Sequence, residues 1–235
     1  ILESMIEYAA CDSDILKIQS IKADTLSKRK GYENFRPYKE EYKRLKGIEL
    51  SWEDEKFFID KCKEHDVESM TTLFTPNHTE YFNSLGYDNL KLSGYSIPAF
   101  DYGKKLKDLN FKTLFFSASS LTLKEIGKTI ANLKKMDFYK FYFALDKIGY
   151  SDHSNPHEDN LLTAKLAIFQ GIDVLERHFT VLEIDETRDG KVSMTPSMLS
   201  ELRRFSNLTI SEQYEELNEF NEQQIFNHKY YRGRF

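Results

Sequence analysis

The sequence predicts an α/β protein of repeated strand–helix units, with a TIM (β/α)8 barrel as the architecture that fits best. Short runs rich in β-branched and aromatic residues alternate with amphipathic helical patterns, as in parallel strands joined by crossover helices. The chain has 235 residues, of which 40% are hydrophobic, so it is long enough for one sizeable core.

Hydrophobic periodicity and capping residues locate the individual elements. Predicted strands cover residues 15–19, 70–74, 90–93, 113–118, 139–145, 147–151 and 174–179. Predicted helices cover residues 2–9, 51–62, 77–85, 98–109, 122–133 and 161–170, and a last one starts at 195–196. Ser51 and Asp54 have the spacing of a capping box, and Gly171 is typical of a helix end.

Two pieces of an eight-stranded barrel are missing from this pattern. No strand precedes the first helix. Only residues 144–146 separate Phe143, in what would be the sixth strand of a full barrel, from Lys147, at the start of the seventh. Parallel neighbours need a crossover of a dozen or more residues, so this crossover either was lost or lies in residues left out of the chain. We assign residues 1–217 to an incomplete barrel domain and residues 218–235 to a linker.

Composition argues against several other classes of protein. The 33 Lys and Arg residues are interleaved with 38 Asp and Glu residues, whereas a nucleic-acid binder gathers its cations on one surface. The sequence shows no apolar run of 18 residues and no signal-peptide pattern. We therefore expect a cytoplasmic protein that binds neither nucleic acid nor membrane. Cys11 and Cys62 suit a reducing compartment, and both are expected to be small buried thiols in helices.

Two histidines end neighbouring predicted strands. The segment 149–153 reads Gly-Tyr-Ser-Asp-His and the segment 176–180 reads Glu-Arg-His-Phe-Thr. Strand ends are where (β/α) barrels place their chemistry, and two neutral imidazoles suit one first-row divalent metal. A lone histidine is more often a surface residue, but His153 and His178 at successive strand ends favour a metal site. His157 is a rival ligand in the following loop.

Cations and hydroxyl groups in other strands indicate an anion site. Burying the ammonium of Lys17 or Lys91 in an apolar strand is costly unless an anion accompanies it. Lys22 either assists at this site or is solvated. Further candidates are Gln19, Thr72, Ser117 and Ser151, although hydroxyls in strands also form simple cross-strand hydrogen bonds. Asp152 orients His153, touches substrate hydroxyls, or caps the next helix.

The segments 16–24, 149–153 and 176–180 together resemble the N-acetylneuraminate (sialic acid) synthase family, which includes the legionaminate and pseudaminate synthases. The resemblance covers nearly the whole chain in order. It implies a TIM-barrel enzyme of surface-polysaccharide synthesis that condenses phosphoenolpyruvate with an N-acylated hexosamine, such as N-acetylmannosamine, using Mn²⁺ or Mg²⁺. C3 of phosphoenolpyruvate attacks the sugar aldehyde, water adds at C2, and the tetrahedral intermediate loses phosphate.

The same resemblance implies roles for individual residues. His153 and His178 would bind the metal, with Asp152 beside them. Phosphoenolpyruvate would be held by Lys17 and Lys91, and the remaining substrate-binding candidates are Gln19, Lys22, Thr72, Ser117 and Ser151. The tail would lead to a small antifreeze-like domain that covers the barrel of the neighbouring subunit, so a homodimer is expected.

Several segments depart from the family pattern. The glutamate-bearing first strand is absent, and residues 92–94, 117–120 and 189–191 differ from the common motifs. These differences indicate either a subfamily with another acylated sugar or a member with weakened activity. Two functions from other classes also stay open: a metal-dependent lyase or isomerase acting on a sugar phosphate, and a non-catalytic sugar-binding relative.

Overall fold

A computed structural model describes residues 1–26, 37–74, 79–92, 109–116 and 149–218. The chain divides into two compact units. Residues 14–142, with Leu2, form what we call the N-terminal unit. Ile1, residues 3–13 and residues 143–235 form the C-terminal unit, to which helix α1 (Leu2–Ala10) contributes nearly all its residues.

A parallel four-stranded sheet forms the centre of the N-terminal unit. Its strands are β1 (Ile15–Ser20), β2 (Glu68–Leu73), β3 (Asn89–Leu92) and β4 (Thr113–Phe116), in the spatial order β1-β2-β3-β4. Helices α2 (Tyr38–Lys46), α3 (Trp52–Glu64) and α4 (Thr79–Leu85) belong to the same unit, with a 3₁₀ turn at Ala23–Thr25. In β2, every residue after Glu68 is buried, as expected for a parallel strand covered on both faces.

Local sequence accounts for helix α3 and its packing. The Ser51 side chain accepts a hydrogen bond from the Asp54 backbone N–H, and the Asp54 side chain accepts one in return from the Ser51 backbone N–H. This capping box satisfies two donors that a helix start leaves unpaired. Phe58, Ile59 and Cys62 are buried, and α3 contacts β2, so the apolar side of the helix covers one face of the sheet.

The C-terminal unit contains a parallel three-stranded sheet in the order β5-β6-β7. Its strands are β5 (Gly149–Asp152), β6 (Val174–Phe179) and β7 (Ser193–Met194), and its further helices are α5 (Pro156–Asp159), α6 (Leu162–Phe169), α7 (Pro196–Ser206) and α8 (Ile210–Leu217). Leu161, Ala164, Met194 and Leu202 form a buried core between the sheet and these helices. Two 3₁₀ turns lie at Ile184–Glu186 and Gly190–Val192.

The predicted parallel α/β architecture is confirmed, and most predicted elements that can be compared lie within about two residues of their expected bounds. Helices α2, α5 and α8 and strand β7 were not predicted. Outside the described residues lie Ser117, the predicted helix 122–133, the strand 139–145, the interrupted crossover at 144–146, all but residue 109 of the helix 98–109, and the linker beyond residue 218. In the part of the chain that the structure describes, no helix is both long and apolar enough to span a membrane.

Candidate active site

Four predicted substrate-binding residues share one face of the N-terminal sheet. The strand register aligns Gln19 with Thr72 and Thr72 with Lys91, and aligned residues of parallel strands point to the same side. Lys17 precedes Gln19 by two positions, so it lies on that side as well. We call this side the site face of the N-terminal unit, and the side that packs against α3 its helix face.

Among the described residues, the hydroxyl of Thr72 forms no hydrogen bond within the sheet. Thr72 is buried, and within the described residues its Oγ1 has no hydrogen-bond partner. By contrast, Thr71 on the helix face accepts a hydrogen bond from the backbone N–H of Ser20 and donates to Ile18 O. Simple cross-strand bonding therefore explains Thr71 but does not explain Thr72. Buried polar atoms are normally paired, so Thr72 Oγ1 is suited to a ligand or to a group beyond the described residues.

Asn89 is a further site-face residue that sequence reasoning missed. It lies two positions before Lys91 and is fully buried. Its Nδ2 donates to Glu68 Oε2 at 2.8 Å, while its Oδ1 has no hydrogen-bond partner among the described residues. The alternation of side chains along β3 is the signal that could have identified it, because Lys91 and Asn89 differ by one strand period.

Lys22 is buried toward the helix face instead of being solvated. Its Nζ lies 2.9 Å from Glu55 Oε1 and 3.8 Å from the centre of the Trp52 ring. It also donates to the Leu50 carbonyl oxygen. Its charge is therefore balanced by Glu55, and these contacts give Lys22 a structural role that does not require substrate.

The two predicted metal-binding histidines lie side by side in the C-terminal unit. The centres of the His153 and His178 rings are 5.1 Å apart, with the ring planes inclined by 57°. Ser151 Oγ lies 3.3 Å from His153 Nε2, and His178 Nδ1 lies 3.8 Å from Asp189 Oδ2. The parallel pairing of β5 with β6 brings the rings together, because it aligns Ser151 with Glu176 two residues before each histidine.

This alignment also identifies Glu176, which was not among the predicted site residues. Ser151 and Glu176 are register partners, and His178 follows Glu176 by one strand period. We call the side that carries these residues the site face of the C-terminal unit. Its helix face carries Met194, which packs in the core with Ala164 and Leu202.

Asp152 lies on this helix face. It is aligned with Arg177, its carboxylate Oδ2 is 2.6 Å from Arg177 Nη1, and both side chains are almost completely buried. Asp152 Oδ1 accepts a hydrogen bond from the Ser154 backbone N–H at 2.8 Å. The following helix α5 is capped by Asn155. The register therefore favours a positioning role for Asp152 over direct contact with substrate or the capping of a helix.

The histidine pair fits a transition metal better than Mg²⁺. Within the described ranges, no group of three or more His, Cys, Asp or Glu side chains is arranged to hold a metal ion. The pair would thus supply two nitrogen ligands, and water or substrate oxygens would supply the others. Imidazole is a good ligand for first-row transition metals, whereas Mg²⁺ prefers oxygen. Two imidazoles with open positions would accept a first-row divalent ion more readily than Mg²⁺, and the ion itself stays a prediction of the sequence.

The loop after β6 explains one departure from the family motif. Gly190 lies so close to Ile184 that a Cβ atom added to it would be 2.0 Å from the Ile184 carbonyl oxygen. No larger residue fits at position 190 while this loop keeps its path. The preceding residue, Asp189, is the one whose carboxylate lies near His178, so glycine permits the local packing that holds this carboxylate there.

The parallel strand–helix units, with two imidazoles side by side at adjacent strand ends, define an α/β protein with a candidate active site at the ends of its strands. Comparison with known proteins identifies the family. The NeuB family model matches residues 5–135 and 127–213. The chain belongs to the NeuB family.

Two curated relatives agree with this assignment. The chain is 28% identical to the N,N'-diacetyllegionaminic acid synthase of Legionella pneumophila over 86% of its own length and 65% of the relative's. It is 27% identical to the synthase of the same name from Campylobacter jejuni, over 85% and 69%. The chain thus spans just under two thirds of the Legionella relative.

Two crystal structures share the fold. The N-acetylneuraminic acid (sialic acid) synthetase from Leptospira borgpetersenii, in complex with citrate, matches with a TM-score of 0.71 at 18% identity, over 99% of this chain and 87% of that one. The spore coat polysaccharide biosynthesis protein spsE from Bacillus subtilis matches with a TM-score of 0.69 at 19% identity, over 95% and 67%.

Proposed function

We propose that this protein is a synthase that condenses phosphoenolpyruvate with an N-acylated hexosamine to form a nonulosonic acid and phosphate. The observation that carries the proposal is the pair of imidazoles with ring centres 5.1 Å apart in a chain of the NeuB family. The site-face lysines of the N-terminal unit support it, because a phosphate and a carboxylate need cationic donors.

The proposed reaction assigns distinct tasks to the chain's own residues. Lys17 and Lys91 bind the phosphate and carboxylate of phosphoenolpyruvate, and Thr72 Oγ1 donates to one of these anions. His153 and His178 hold a divalent ion, which supplies Lewis-acid polarisation of the sugar aldehyde when it is bound. Ser151 holds the His153 ring through its hydrogen bond.

The proposed condensation needs no covalent intermediate with the protein. C3 of phosphoenolpyruvate forms the new carbon–carbon bond with the aldehyde carbon, and the aldehyde oxygen gains a proton. Water adds to C2 and loses one proton, which leaves a hydroxyl there. The C2–O bond to phosphate then breaks as this hydroxyl becomes the C2 carbonyl and passes its remaining proton to the leaving phosphate. The products are a 2-keto sugar acid and inorganic phosphate.

The names of the relatives narrow the choice of sugar to test. Both curated relatives are named for N,N'-diacetyllegionaminic acid, which carries two acetamido groups, whereas the Leptospira structure is named for N-acetylneuraminic acid. We therefore propose testing an acceptor with two acetamido groups beside N-acetylmannosamine. A homodimer, a closed (β/α)8 barrel and a cytoplasmic location remain predictions of the sequence.

Phosphate release tests the proposal directly. With Mn²⁺ present, we expect phosphate only when phosphoenolpyruvate and the acylated sugar are supplied together. His153→Ala and His178→Ala should each abolish it, whereas Lys56→Ala, at an exposed ion pair of α3, should leave it unchanged. A sugar-phosphate lyase or isomerase would not consume phosphoenolpyruvate. A binding relative would be stabilised by sugar without turnover. Either result would overturn the synthase proposal.

A further inference from the structure

We propose that Arg177 is a positioning residue for the histidine pair: from the helix face of β6, its guanidinium holds both residues that flank His153 and thereby sets this ring beside His178. The inference rests on the proposed function for the identity of the metal. It concerns a residue that neither touches substrate nor binds metal.

The guanidinium of Arg177 is buried and reaches three parts of the C-terminal unit. Its Nη1 is 2.6 Å from Asp152 Oδ2, and the Arg177 side chain is 3% exposed. Nη1 also donates to Ser154 Oγ, and Nη2 donates to Ser154 O, each at 3.3 Å. A longer contact of 3.4 Å joins Nη2 to Val192 O.

The sequence positions of these partners connect the cation to both imidazoles. Asp152 and Ser154 are the immediate neighbours of His153, so one cation fixes the chain on either side of that residue. Arg177 is itself the neighbour of His178. Val192 precedes Ser193, the register partner of His178 in β7. A single side chain on the helix face thus contacts both residues that flank His153 and belongs to the residue that precedes His178.

The contact set suits arginine better than lysine. Two nitrogen atoms of one planar guanidinium serve a carboxylate, a hydroxyl and two carbonyl oxygens, whereas a lysine ammonium is a single point with three donors. Asp152 is held in turn by the Ser154 backbone N–H. Buried ion pairs often add little stability compared with apolar residues of the same size, and Leu175, on the same face, packs against the core. Packing alone therefore does not explain a charge at position 177.

Metal binding in the full chain tests this role separately from activity. Arg177→Lys should weaken Mn²⁺ binding about tenfold or more, the usual effect of losing a residue that orients metal ligands. The measurement is the amplitude of the free Mn²⁺ signal in electron paramagnetic resonance, with the thermal midpoint recorded in parallel. Because a lysine that does not reach Asp152 would leave two buried charges without partners, the double variant Asp152→Asn with Arg177→Gln removes both charges together and should weaken binding similarly.

Leu202→Ala is the matched control, because Leu202 belongs to a buried core of the same unit that contains neither histidine and no residue next to one. It should lower the thermal midpoint and leave Mn²⁺ affinity unchanged. Wild-type affinity in folded Arg177 variants would overturn the proposal. Equal weakening in Leu202→Ala would also overturn it, since general destabilisation would then explain the effect.

A second readout does not depend on the metal. The adjacent rings should give a nuclear Overhauser contact between ring protons of His153 and His178 in the metal-free wild type, and the double variant should lose it. If the wild type shows this contact but binds no Mn²⁺, the metal part of the proposed function fails while the positioning role stands. If the contact is absent from the wild type, or persists in the double variant, the positioning role is wrong.

Discussion

At the residue scale, Glu55 of α3 joins several buried groups behind the end of β1. Its carboxylate accepts hydrogen bonds from Ser20 Oγ at 2.8 Å and Tyr87 OH at 2.7 Å, and it pairs with Lys22 at 2.9 Å. Burial and the charge of Glu55 raise the pKa of Tyr87 well above its usual range, so the phenol stays protonated and donates. A fully satisfied buried network of this kind rigidifies the strand end that it holds.

Replacing Glu55 tests how strongly this network stabilises the fold. Glu55→Ala leaves the Lys22 ammonium buried without its carboxylate, and we expect the free energy of unfolding in urea to fall by about 3–5 kcal/mol. Lys56→Ala is the control on the same helix, because Lys56 forms only an exposed pair with Asp60 and should change stability little. A loss below about 1 kcal/mol for Glu55→Ala, the size typical of a surface pair, would contradict a structural role for Lys22 and Glu55.

The two cysteines offer a second test. Burial, with a smaller effect of the Asp88 charge, raises the pKa of the fully buried Cys62 thiol to about 12. Since the thiolate is the reactive form, Cys62 should not react with Ellman's reagent at pH 8 in the native protein. Cys11 is exposed, which corrects the expectation of a buried thiol, and should react.

We therefore expect one reactive thiol in the native protein and two in denaturant. Cys11→Ser should remove the native reaction. Rapid reaction of both thiols in the wild type would contradict the buried position of Cys62 on α3.

At the scale of elements, prediction succeeded where the signal is local. The Ser51 capping box and the ends of β1, β3 and β6 follow from neighbouring residues alone. Helix α2 was missed because only Glu41 and Leu45 are buried along it, so it shows no apolar stripe. Strand β7 was missed because two residues are too few to show alternation.

In the candidate site, too, residues with a local sequence signal were predicted and contacts that depend on tertiary packing were not. His153 and His178 were predicted from local strand ends, and the structure places their rings with centres 5.1 Å apart. The surroundings of Lys22 and Asp152 could not be predicted, because Glu55 and Arg177 meet them only through tertiary packing. Asn89 was missed because the predicted strand began at residue 90, one residue after the true start of β3, so the alternation from Lys91 was not followed back to it.

Ion pairs join three helices of the C-terminal unit. Lys165 of α6 lies 2.8 Å from Glu201 of α7 and 2.7 Å from Glu216 of α8. Arg204 of α7 pairs with both carboxylates as well. The hydrogen bond from Arg204 lowers the pKa of Glu201 to about 2; partial burial opposes this shift and Lys165 adds to it.

This lowered pKa predicts a loss of stability in acid. A carboxylate whose pKa is lower in the folded state stabilises the fold fully above the unfolded value of 4.5. This contribution is lost as the pH falls from there toward about 2. Glu201→Gln should therefore reduce the fall in thermal midpoint between pH 5 and pH 3. Arg204→Gln should reduce it too, because Arg204 is the main cause of the shift. An unchanged pH dependence in Glu201→Gln would refute this origin.

At the scale of the whole molecule, each unit has its own parallel sheet with a distinct site face. The N-terminal unit presents lysines with a buried hydroxyl, and the C-terminal unit presents imidazoles. The chain carries a net charge of −5, so its overall field does not attract anions. If the chain binds phosphoenolpyruvate as proposed, the affinity must come from local cations, and mutation should then affect anion binding and metal binding separately.

Lys91→Ala and His178→Ala should each weaken the binding of only one of the two ligands, phosphoenolpyruvate or Mn²⁺. Losing a hydrogen bond to a charged group costs about 1.5–3 kcal/mol, so Lys91→Ala should weaken phosphoenolpyruvate binding at least tenfold in calorimetry while keeping Mn²⁺ affinity. His178→Ala should lose Mn²⁺ binding and keep most of its affinity for phosphoenolpyruvate. Lys112→Ala is the matched lysine control, because Lys112 is exposed just before β4 and pairs with Glu68 and Asp88.

Both site variants should lose phosphate release even though each retains one ligand, because the synthase reaction needs phosphoenolpyruvate and the polarised aldehyde at the same time. Lys112→Ala should keep it. Wild-type phosphate release by Lys91→Ala would show that the site face of the N-terminal unit does not hold phosphoenolpyruvate. If each variant lost both ligands, the two faces would not act as separate binding surfaces, and the assignment of anion to lysines and metal to imidazoles would be wrong.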